Sequence, residues 1–479
     1  MLFNSPEYFI FLPIVFILYW FLFSKRVNNQ NIIILIASCC FYGWWSWKFL
    51  ILLGASTLMN YAYGFGVSSD NKTKAKIFLW IAVITNFGIL GLFKYYNFFA
   101  SQFQKVGHEI GIHINPILLE IGLPVGISFY TFHGMSYLFD VHKGARKPVN
   151  KIIEYAVFIC FFPLLVSGPI ERSNHLLPQI KTKRIFNYSQ AVEGCRLILW
   201  GMFKKVVIAD SIAFYVDEIF NNYSAHNSLT LILGVIGFSI QIYGDFSGYT
   251  DIAIGTAKLF GFELLSNFKF PYFSRNVAEF WRRWHISLTS WFRDYLYIPL
   301  GGSKKGKLIS IQNVLIIFLI SGFWHGAGWN YIIWGAINAC GYLPILIFNT
   351  NTTYEKEIVA VNRKLPTIKE LLQMLSTFGF ISFSRIFFRN RSVNDAINYI
   401  KGIFTNFEFP GEFLLYTNMF IYIIPLITID WFLRRDERKL RMIESRLIKY
   451  STYITFSILI ISLMIIRSGS NKNFIYFQF

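Results

Sequence analysis

The chain has 479 residues, and 54% of them are hydrophobic, 19% aromatic and only 15% charged, which leaves little polar material for a water-facing surface. Soluble proteins usually contain about 25% charged residues, so an ordinary soluble domain is improbable. The 45 basic residues outnumber the 26 acidic ones, and this excess lies in short loops beside long apolar runs. Membrane orientation therefore explains the net charge of +19 better than nucleic-acid binding does.

Long apolar runs follow one another along most of the chain. A helix needs about 20 residues to cross the roughly 30 Å of hydrocarbon in a bilayer, so the length accommodates about a dozen crossings. The pattern predicts spans near residues 8–23, 31–47, 49–66, 77–93, 117–139, 198–219, 231–250, 308–324, 329–348, 371–388, 418–433 and 451–466. The sequence thus predicts an all-α polytopic membrane protein with a single membrane domain over residues 1–479.

The loops predict how these spans are oriented. Threading the chain through them places the Lys- and Arg-rich loops on one side, which the positive-inside rule assigns to the cytoplasm. The first apolar run carries its positive charge after the run, at Lys25 and Arg26, so it is interpreted as a retained span and not as a cleaved signal. Both termini, including the tail 467–479, are then expected outside.

Two apolar stretches do not fit a simple crossing. In residues 152–170, Pro163, Gly168 and Pro169 interrupt the run and both flanks belong to the cytoplasmic side, which favours a re-entrant segment. In residues 271–300, Trp, Tyr and Arg are intermixed at a density typical of an interfacial helix or of a cavity wall.

His325 is an ionisable residue in an unusual place. It lies among Gly322, Gly326 and Gly328, between two apolar runs, and ionisable residues within membrane segments are candidates for function. A helix starting at Lys307 on the cytoplasmic edge would carry His325 roughly 27 Å, into the outer half of the membrane. A histidine that only caps a carbonyl in a broken helix is the alternative interpretation.

Three further ionisable residues lie in or beside apolar segments. His285 lies nearer the predicted cytoplasmic side than His325. The two histidines therefore suggest two successive positions, or stations, along one substrate path. Asp245 needs a partner, for which the arginines near residue 282 are candidates. His133 lies inside a predicted span, where a hydrogen-bonded role in the core is favoured over a catalytic one.

The spacing of these residues excludes several reaction classes. The sequence has no paired metal-ligand spacing, Walker loop, dinucleotide fingerprint or Gly-x-Ser-x-Gly elbow. A histidine with a pKa near 6.5 can act as a general base toward a substrate hydroxyl at neutral pH. Acyl transfer without a bound cofactor or metal is therefore the favoured reaction class.

The motifs around these residues resemble the membrane-bound O-acyltransferase family, specifically its alginate O-acetyltransferase branch. They occur in order at Leu123–Phe132, Ser167–Arg172, Tyr243–Ala253, Asn267-Phe268, Pro271-Tyr272, Phe280–Leu288, Trp291–Gly302 and Phe323–Ala327. The resemblance implies that His325 is the catalytic histidine and His285 the second signature histidine. It also implies a bacterial cell-membrane protein with a ring of helices around a thinned central region crossed by a tunnel.

Two positions depart from the family pattern. The run after Trp334-Gly335 reads Ala336-Ile337-Asn338, where relatives often carry a histidine, and His133 stands where relatives often carry a glutamine. Neither departure touches the two signature histidines. We therefore interpret both as affecting the preference for the acceptor.

We expect an acyl thioester, acetyl-CoA, to dock at the cytoplasmic mouth. The cations expected to meet its phosphates are Arg282, Arg283, Lys304 and Lys305. Attack on the thioester by a hydroxyl activated by His325 produces an oxyanion, for which Asn330, Trp324 Nε1–H or a glycine N–H are candidate donors. The alternative for the arginines is that they only anchor the segment to anionic headgroups.

The resemblance implies a cell-surface polysaccharide as the acceptor and an extracytoplasmic acetyltransferase as a partner protein. Tyr476, in the aromatic tail, is a candidate acyl relay or docking residue, and an interfacial aromatic anchor is the alternative. Two other functions remain open. One is D-alanyl transfer to teichoic acid from a carrier-protein thioester, and the other is a polysaccharide transporter or flippase, which would also contain broken helices and buried charge.

Overall fold

The computed structural model describes residues 1–113, 115–120, 122–166, 168–355, 357–407, 413–436 and 446–467. Within these ranges the chain forms helices, turns and loops, without a β-strand. The helices are α1 (Pro6–Ile17), α2 (Val27–Gly43), α3 (Trp47–Val67), α4 (Lys72–Lys94), α5 (Tyr96–Glu109), α6 (Ile127–His142), α7 (Ile152–Cys160), α8 (Phe162–Leu165), α9 (Ser173–Lys181), α10 (Tyr188–Met202), α11 (Asp210–Asn221), α12 (Ser228–Leu259), α13 (Val277–Arg283), α14 (Ile286–Phe292), α15 (Lys307–His325), α16 (Trp329–Ile347), α17 (Ile368–Arg389), α18 (Val393–Thr405), α19 (Phe413–Tyr416), α20 (Phe420–Leu433) and α21 (Arg446–Ile466). The predicted all-α class is confirmed.

Eight helical segments of the described ranges are long and apolar enough to cross a membrane. They are Trp47–Val67, Lys72–Lys94, Ser228–Leu259, Lys307–His325, Trp329–Ile347, Ile368–Arg389, Phe413–Leu433 and Leu447–Ile466. The other predicted spans coincide with shorter or interrupted helices. For example, the span predicted at 198–219 is divided by a π-helical segment, Phe203–Ala209. The count of twelve spans stays a prediction.

The described residues group into two compact units. The first contains Met1–Cys195 and Ala253–Leu265, and the second contains Arg196–Ile252 and Ser266–Phe479. The single domain over residues 1–479 stays a prediction.

Buried polar side chains join the helices of the first unit. Asn60 and Asn86 exchange amide hydrogen bonds of 2.9 and 2.7 Å between α3 and α4. His133 is buried in α6, and its Nε2 accepts the backbone N–H of Glu171 at 3.0 Å, which confirms the predicted hydrogen-bonded core role. Because apolar side chains gain nothing by leaving lipid, such polar contacts help to hold membrane helices together.

The re-entrant stretch predicted at residues 152–170 is broken in the structure. Helix α7 ends at Cys160, Phe161 has an extended ψ of 110°, and only the four residues of α8 follow. Pro163 lies at the start of α8, where a missing N–H is tolerated. The interruption is therefore as predicted, and the position of this segment relative to the membrane stays a prediction.

In the second unit, helices α15 and α16 form a tightly packed hairpin. A Cβ atom added at Gly322 would clash with the backbone carbonyl of Tyr331, and one added at Gly335 would clash with the carbonyl of Phe318. Small residues at such positions let two membrane helices approach backbone to backbone. The ring of Tyr331 also occupies the space of a side chain at Gly326. These glycines therefore permit close approach between the two helices.

Buried ion pairs connect the π-helical segment Phe203–Ala209 to α12. Lys205 Nζ lies 2.8 Å from Asp210 and 2.7 Å from Asp245, and Lys204 Nζ lies 2.6 Å from Asp251. The expectation that an arginine near residue 282 pairs with Asp245 is wrong. The π-helical turns instead place two successive lysines beside α12, a geometry that sequence spacing does not reveal.

Candidate active site

His325 is the last residue of α15 and is enclosed by aromatic rings of the second unit. Its ring centroid lies 4.7 Å from that of Trp324, 5.0 Å from that of Trp334 on α16 and 5.2 Å from that of Phe388 on α17. The side chain is buried, with 5% of its surface exposed. The carbonyl end of a helix carries partial negative charge, so α15 presents a favourable field where an imidazolium forms during proton transfer.

His285 is held in a strained backbone conformation by its neighbours. Its φ of +46° lies in the left-handed region, which non-glycine residues rarely occupy outside functional or strongly constrained positions. Its Nδ1 lies 3.0 Å from Oδ1 of Asn267, an oxygen that also accepts the hydroxyl of Ser287 at 3.0 Å. An oxygen in that position requires Nδ1 to be the protonated nitrogen, so Nε2 carries the lone pair.

The charge state of His285 follows from its surroundings. It lies between α13 and α14, outside the eight helices that can span a membrane, and it is buried against the ring of Phe246 at a centroid distance of 4.7 Å. Burial lowers the pKa of the imidazole below its ordinary value. His285 is therefore neutral at pH 7 and suited to accept a hydrogen bond through Nε2.

Trp324 contacts both histidines. Its ring centroid lies 6.0 Å from that of His285 and 4.7 Å from that of His325. The two imidazoles, which are far apart in the sequence, thus lie against the same indole. This arrangement fits the hypothesis of two stations on one path, with Trp324 between them.

A small cavity lies beside His325. Its polar lining consists of His325, Trp281, Asn338, Ser384 and Arg385. The remaining lining residues are Ile242, Phe280, Trp284, Trp334, Ile381 and Phe388. The segment 271–300 thus contributes a cavity wall, as predicted. The accessible space is about 10 Å³, which is enough for about one water molecule. Side chains around His325 must therefore move before a thioester and an acceptor hydroxyl can occupy this space together.

The cations predicted to bind the donor phosphates have different environments. Arg283 Nη2 lies 2.8 Å from the buried carboxylate of Glu279, which compensates its charge, and Arg282 donates to the backbone carbonyl of Asn351. Lys304 and Lys305 are exposed in the turn before α15. The exposed lysines are therefore better placed to meet a soluble donor than the arginines, and the phosphate contacts stay a prediction.

Asn330 and Asp245 are engaged in structural contacts. The side-chain amide of Asn330 donates to the carbonyls of Phe387 at 3.3 Å and Asn390 at 2.9 Å, at the end of α17. An asparagine amide has only two protons and both are engaged, so Asn330 could donate to an oxyanion only by breaking one of these bonds, and that role stays a prediction. Asp245 faces Lys205, and its predicted role in substrate binding has no support from the lining of the cavity. Tyr476 lies outside the described residues.

The sequence assigned no individual role to three polar residues of this region, Asn267, Trp281 and Arg385, whereas Asn338 lies in the run interpreted as affecting the preference for the acceptor. A signal existed for Arg385, because a charged residue lies inside the apolar run predicted as a span at 371–388. Asn267 and Trp281 lie within the family motifs, but nothing in their spacing indicates which side chains they contact. Within the described part of the chain, no group of three or more His, Cys, Asp or Glu residues could hold a metal ion.

Replacing Asn267 with Ala removes the acceptor that fixes the tautomer of His285. We expect the turnover number for acyl transfer to fall about 10- to 100-fold, the range seen when a partner that orients a metal-ligating histidine is removed. Asn267→Asp keeps an oxygen acceptor and should retain more activity. Steady-state kinetics of the two variants check this, and equal losses in both would contradict a tautomer-fixing role.

The fold and this geometry define a polytopic all-helical membrane protein with two buried histidines against one indole, of which His325 lines a small cavity. The model of the membrane-bound O-acyltransferase family matches residues 125–350, which include both histidines. The probable alginate O-acetylase AlgI of Pseudomonas putida is 41% identical over 341 residues, covering 70% of this chain and 69% of that protein. The peptidoglycan O-acetyltransferase of Helicobacter pylori is 34% identical over 433 residues, covering 84% and 80%.

A more distant relative is the teichoic acid D-alanyltransferase of Bacillus subtilis, which is 29% identical over 278 residues and matches 56% of this chain. The extent of these similarities settles the family. The chain belongs to the membrane-bound O-acyltransferase family, and it is a multi-pass membrane enzyme that transfers acyl groups to hydroxyls.

Proposed function

We propose that this enzyme transfers an acetyl group from acetyl-CoA, bound from the cytoplasm, to hydroxyls of a cell-surface polysaccharide. The observation that carries the proposal is the buried His325, which lines a small polar cavity within the matched part of the chain. Relatives named for O-acetylation of alginate and of peptidoglycan support a polysaccharide acceptor of this kind.

The reaction needs one group that moves a proton. His325 accepts the proton of the acceptor hydroxyl while its oxygen attacks the thioester carbonyl carbon. The tetrahedral intermediate then collapses, the carbon–sulfur bond breaks, and the imidazolium returns the proton to the departing thiolate. An ester and a free thiol are the products, so the enzyme ends each cycle in its starting protonation state. His285 contributes an acceptor at Nε2 along the path of the thioester arm.

The lining of the cavity favours acetyl over D-alanyl as the transferred group. A two-carbon acyl group is small, so the cavity needs less widening to hold it than to hold a D-alanyl group. A D-alanyl group adds an ammonium, which requires a nearby counter-charge when it is removed from water. The charged group among the lining residues is the guanidinium of Arg385, which repels an ammonium.

The topology that accompanies this proposal has the donor on the side of Lys304 and Lys305 and the acceptor on the outer side. Both termini lie outside in a bacterial cell membrane, and an extracytoplasmic partner carries the acetyl group onward to the polymer. Tyr476, as relay or docking residue, would then lie on the side of that partner.

Purified protein in liposomes tests the proposal with two donors, labelled acetyl-CoA and a D-alanyl thioester on a carrier protein. Candidate glycans and the outer partner are supplied on the opposite side of the bilayer. The His325→Ala variant serves as the negative control. We expect label to reach the glycan from acetyl-CoA only, and only with wild-type protein. Transfer from the carrier thioester alone would establish D-alanylation instead. Loss of polymer export without loss of acetylation in a His325→Ala strain would indicate a transporter.

A further inference from the structure

Arg385 is a buried charge that faces neutral partners. Its side chain lies on α17 with 4% of its surface exposed, and the guanidinium carbon lies 4.5 Å from the ring centroid of Trp284. Its Nη1 donates to the hydroxyl of Tyr272 and, at 3.5 Å, to the carbonyl of Ser239. Among the described residues, no carboxylate forms an ion pair with it. One turn further along α17, Arg389 is paired with Asp217 at 2.8 Å.

A buried cation without a counter-ion is unfavourable unless the site is completed by an anion. Arg385 lines the cavity beside His325, so an anion that completes the site would lie next to the imidazole. By contrast, Arg389 on the same helix is paired with a carboxylate, that of Asp217 on α11. The environment of Arg385 therefore points to negative charge that exists only when substrate is present.

Two other residues that line the same cavity each have a buried polar atom without a hydrogen-bond partner among the described residues. Within the described ranges, Trp281 Nε1–H is buried without an acceptor, and Asn338 Oδ1 is buried without a donor. Asn338 is oriented by its amide nitrogen, which donates to the carbonyl of Trp334 at 2.8 Å and to Ser384 Oγ at 3.3 Å. The cavity thus offers two donors, from Arg385 and Trp281, and two acceptors, from Asn338 and His325.

We propose that Arg385 and Trp281 form the oxyanion site of this enzyme, and that Asn338 orients the acceptor hydroxyl toward His325. This assignment rests on the proposed acetyl transfer. When the hydroxyl oxygen bonds to the thioester carbon, the carbonyl electron pair moves to oxygen, and this oxyanion accepts hydrogen bonds from the guanidinium and the indole N–H. When the carbon–sulfur bond breaks, the pair returns to form the ester carbonyl. Donors fixed in a water-poor cavity stabilise such charge strongly.

The assignment also explains why Trp281 Nε1–H has no acceptor among the described residues and why the acceptors of Arg385 are neutral. A donor that already has a strong partner must break that bond to serve the transition state, whereas a fixed and unused donor does not. Trp284 supports the guanidinium from one side through its ring face, a contact typical of arginine. The positive charge is therefore held in place by neutral groups, without being neutralised.

The test compares Arg385→Gln and Arg385→Ala with Arg389→Gln, a matched control on the same helix. With labelled acetyl-CoA and a soluble glycan acceptor, we expect the Arg385 variants to lose about 10²- to 10³-fold in kcat with KM for acetyl-CoA nearly unchanged. Low concentrations of guanidinium or methylguanidinium, far below denaturing levels, should restore part of the activity of Arg385→Ala. The same additives should not change the activity of the Arg389→Gln variant.

Trp281→Phe keeps the ring contacts and removes only the N–H, so it tests the second donor even where an Arg385 variant does not fold. We expect kcat to fall about tenfold, the loss of roughly 1.4 kcal/mol of transition-state stabilisation. Unchanged kcat in Trp281→Phe, or an effect of Arg385→Gln confined to KM, would overturn the oxyanion assignment. Absence of acetyl transfer by the wild-type protein would instead overturn the proposed function.

Discussion

Replacing His325 with Gln lowers the turnover number for acyl transfer by about 10³-fold, with little change in the KM for the thioester. Glutamine keeps a polar side chain of similar reach at the end of α15 but cannot accept and return a proton near neutral pH. General acid–base groups contribute about 10²- to 10⁴-fold to enzymatic rates. Single-turnover measurements with labelled acetyl-CoA separate the chemical step from donor binding and check this expectation.

His133→Gln is the matched control for this substitution. His133 is also buried, and the glutamine oxygen can accept the N–H of Glu171 in place of the imidazole nitrogen. We expect turnover close to that of the wild type. A His325→Gln variant that keeps more than a tenth of wild-type turnover would contradict the general-base role. Equal losses in both variants would point to a general sensitivity of buried histidines.

Replacing Lys205 with Met destabilises the folded protein by about 3–5 kcal/mol, the usual effect of removing one partner from a buried ion pair. The substitution leaves the carboxylates of Asp210 and Asp245, at 2.8 and 2.7 Å from the lysine nitrogen, without their shared cation. Thermal unfolding of the detergent-solubilised protein and the yield of folded protein from membranes measure the effect. Acyl transfer by the fraction that folds should be less affected than stability.

Two further variants test whether the loss of stability comes from the uncompensated carboxylates. The triple variant Lys205→Met, Asp210→Asn and Asp245→Asn removes all three charges, so it should recover much of the lost stability. Lys304→Met removes an exposed lysine and should leave the unfolding temperature unchanged. A Lys205→Met protein as stable as the wild type would show that the lysine is not needed to compensate the two aspartates.

The sequence was sufficient to predict the fold class, and it singled out two histidines that the structure buries against one indole. Apolar run lengths identify membrane helices because the bilayer sets the length that a helix needs. An imidazole between two apolar runs, as at His325, stands out for the same physical reason: ionisable groups are unfavourable in lipid and are kept there only when they have a use. The aromatic and basic mixture near residue 281 indicated a cavity wall, and Trp281 lines one.

Contacts between distant helices could not be predicted in the same way. Asp245 was expected to pair with an arginine near residue 282, but its partner is Lys205, which a π-helical segment brings beside α12. Asn330 was a candidate oxyanion donor, yet it satisfies backbone carbonyls at the end of α17. Spacing along the chain indicates which residues share a helix face. Hydrogen bonds to the backbone of a neighbouring helix depend on how the helices pack, which spacing does not indicate.

The contact between Gly322 and Gly335 has a consequence for how the enzyme admits its substrates. Because no side chain separates α15 from α16 there, we expect this hairpin, which carries His325 and Trp334, to move as one rigid unit. Room for substrates must then come from α13 and α17, whose large aromatic side chains line the other walls of the cavity. We therefore expect acceptor selectivity to change through substitution of residues such as Phe388, while the position of the His325 imidazole stays the same.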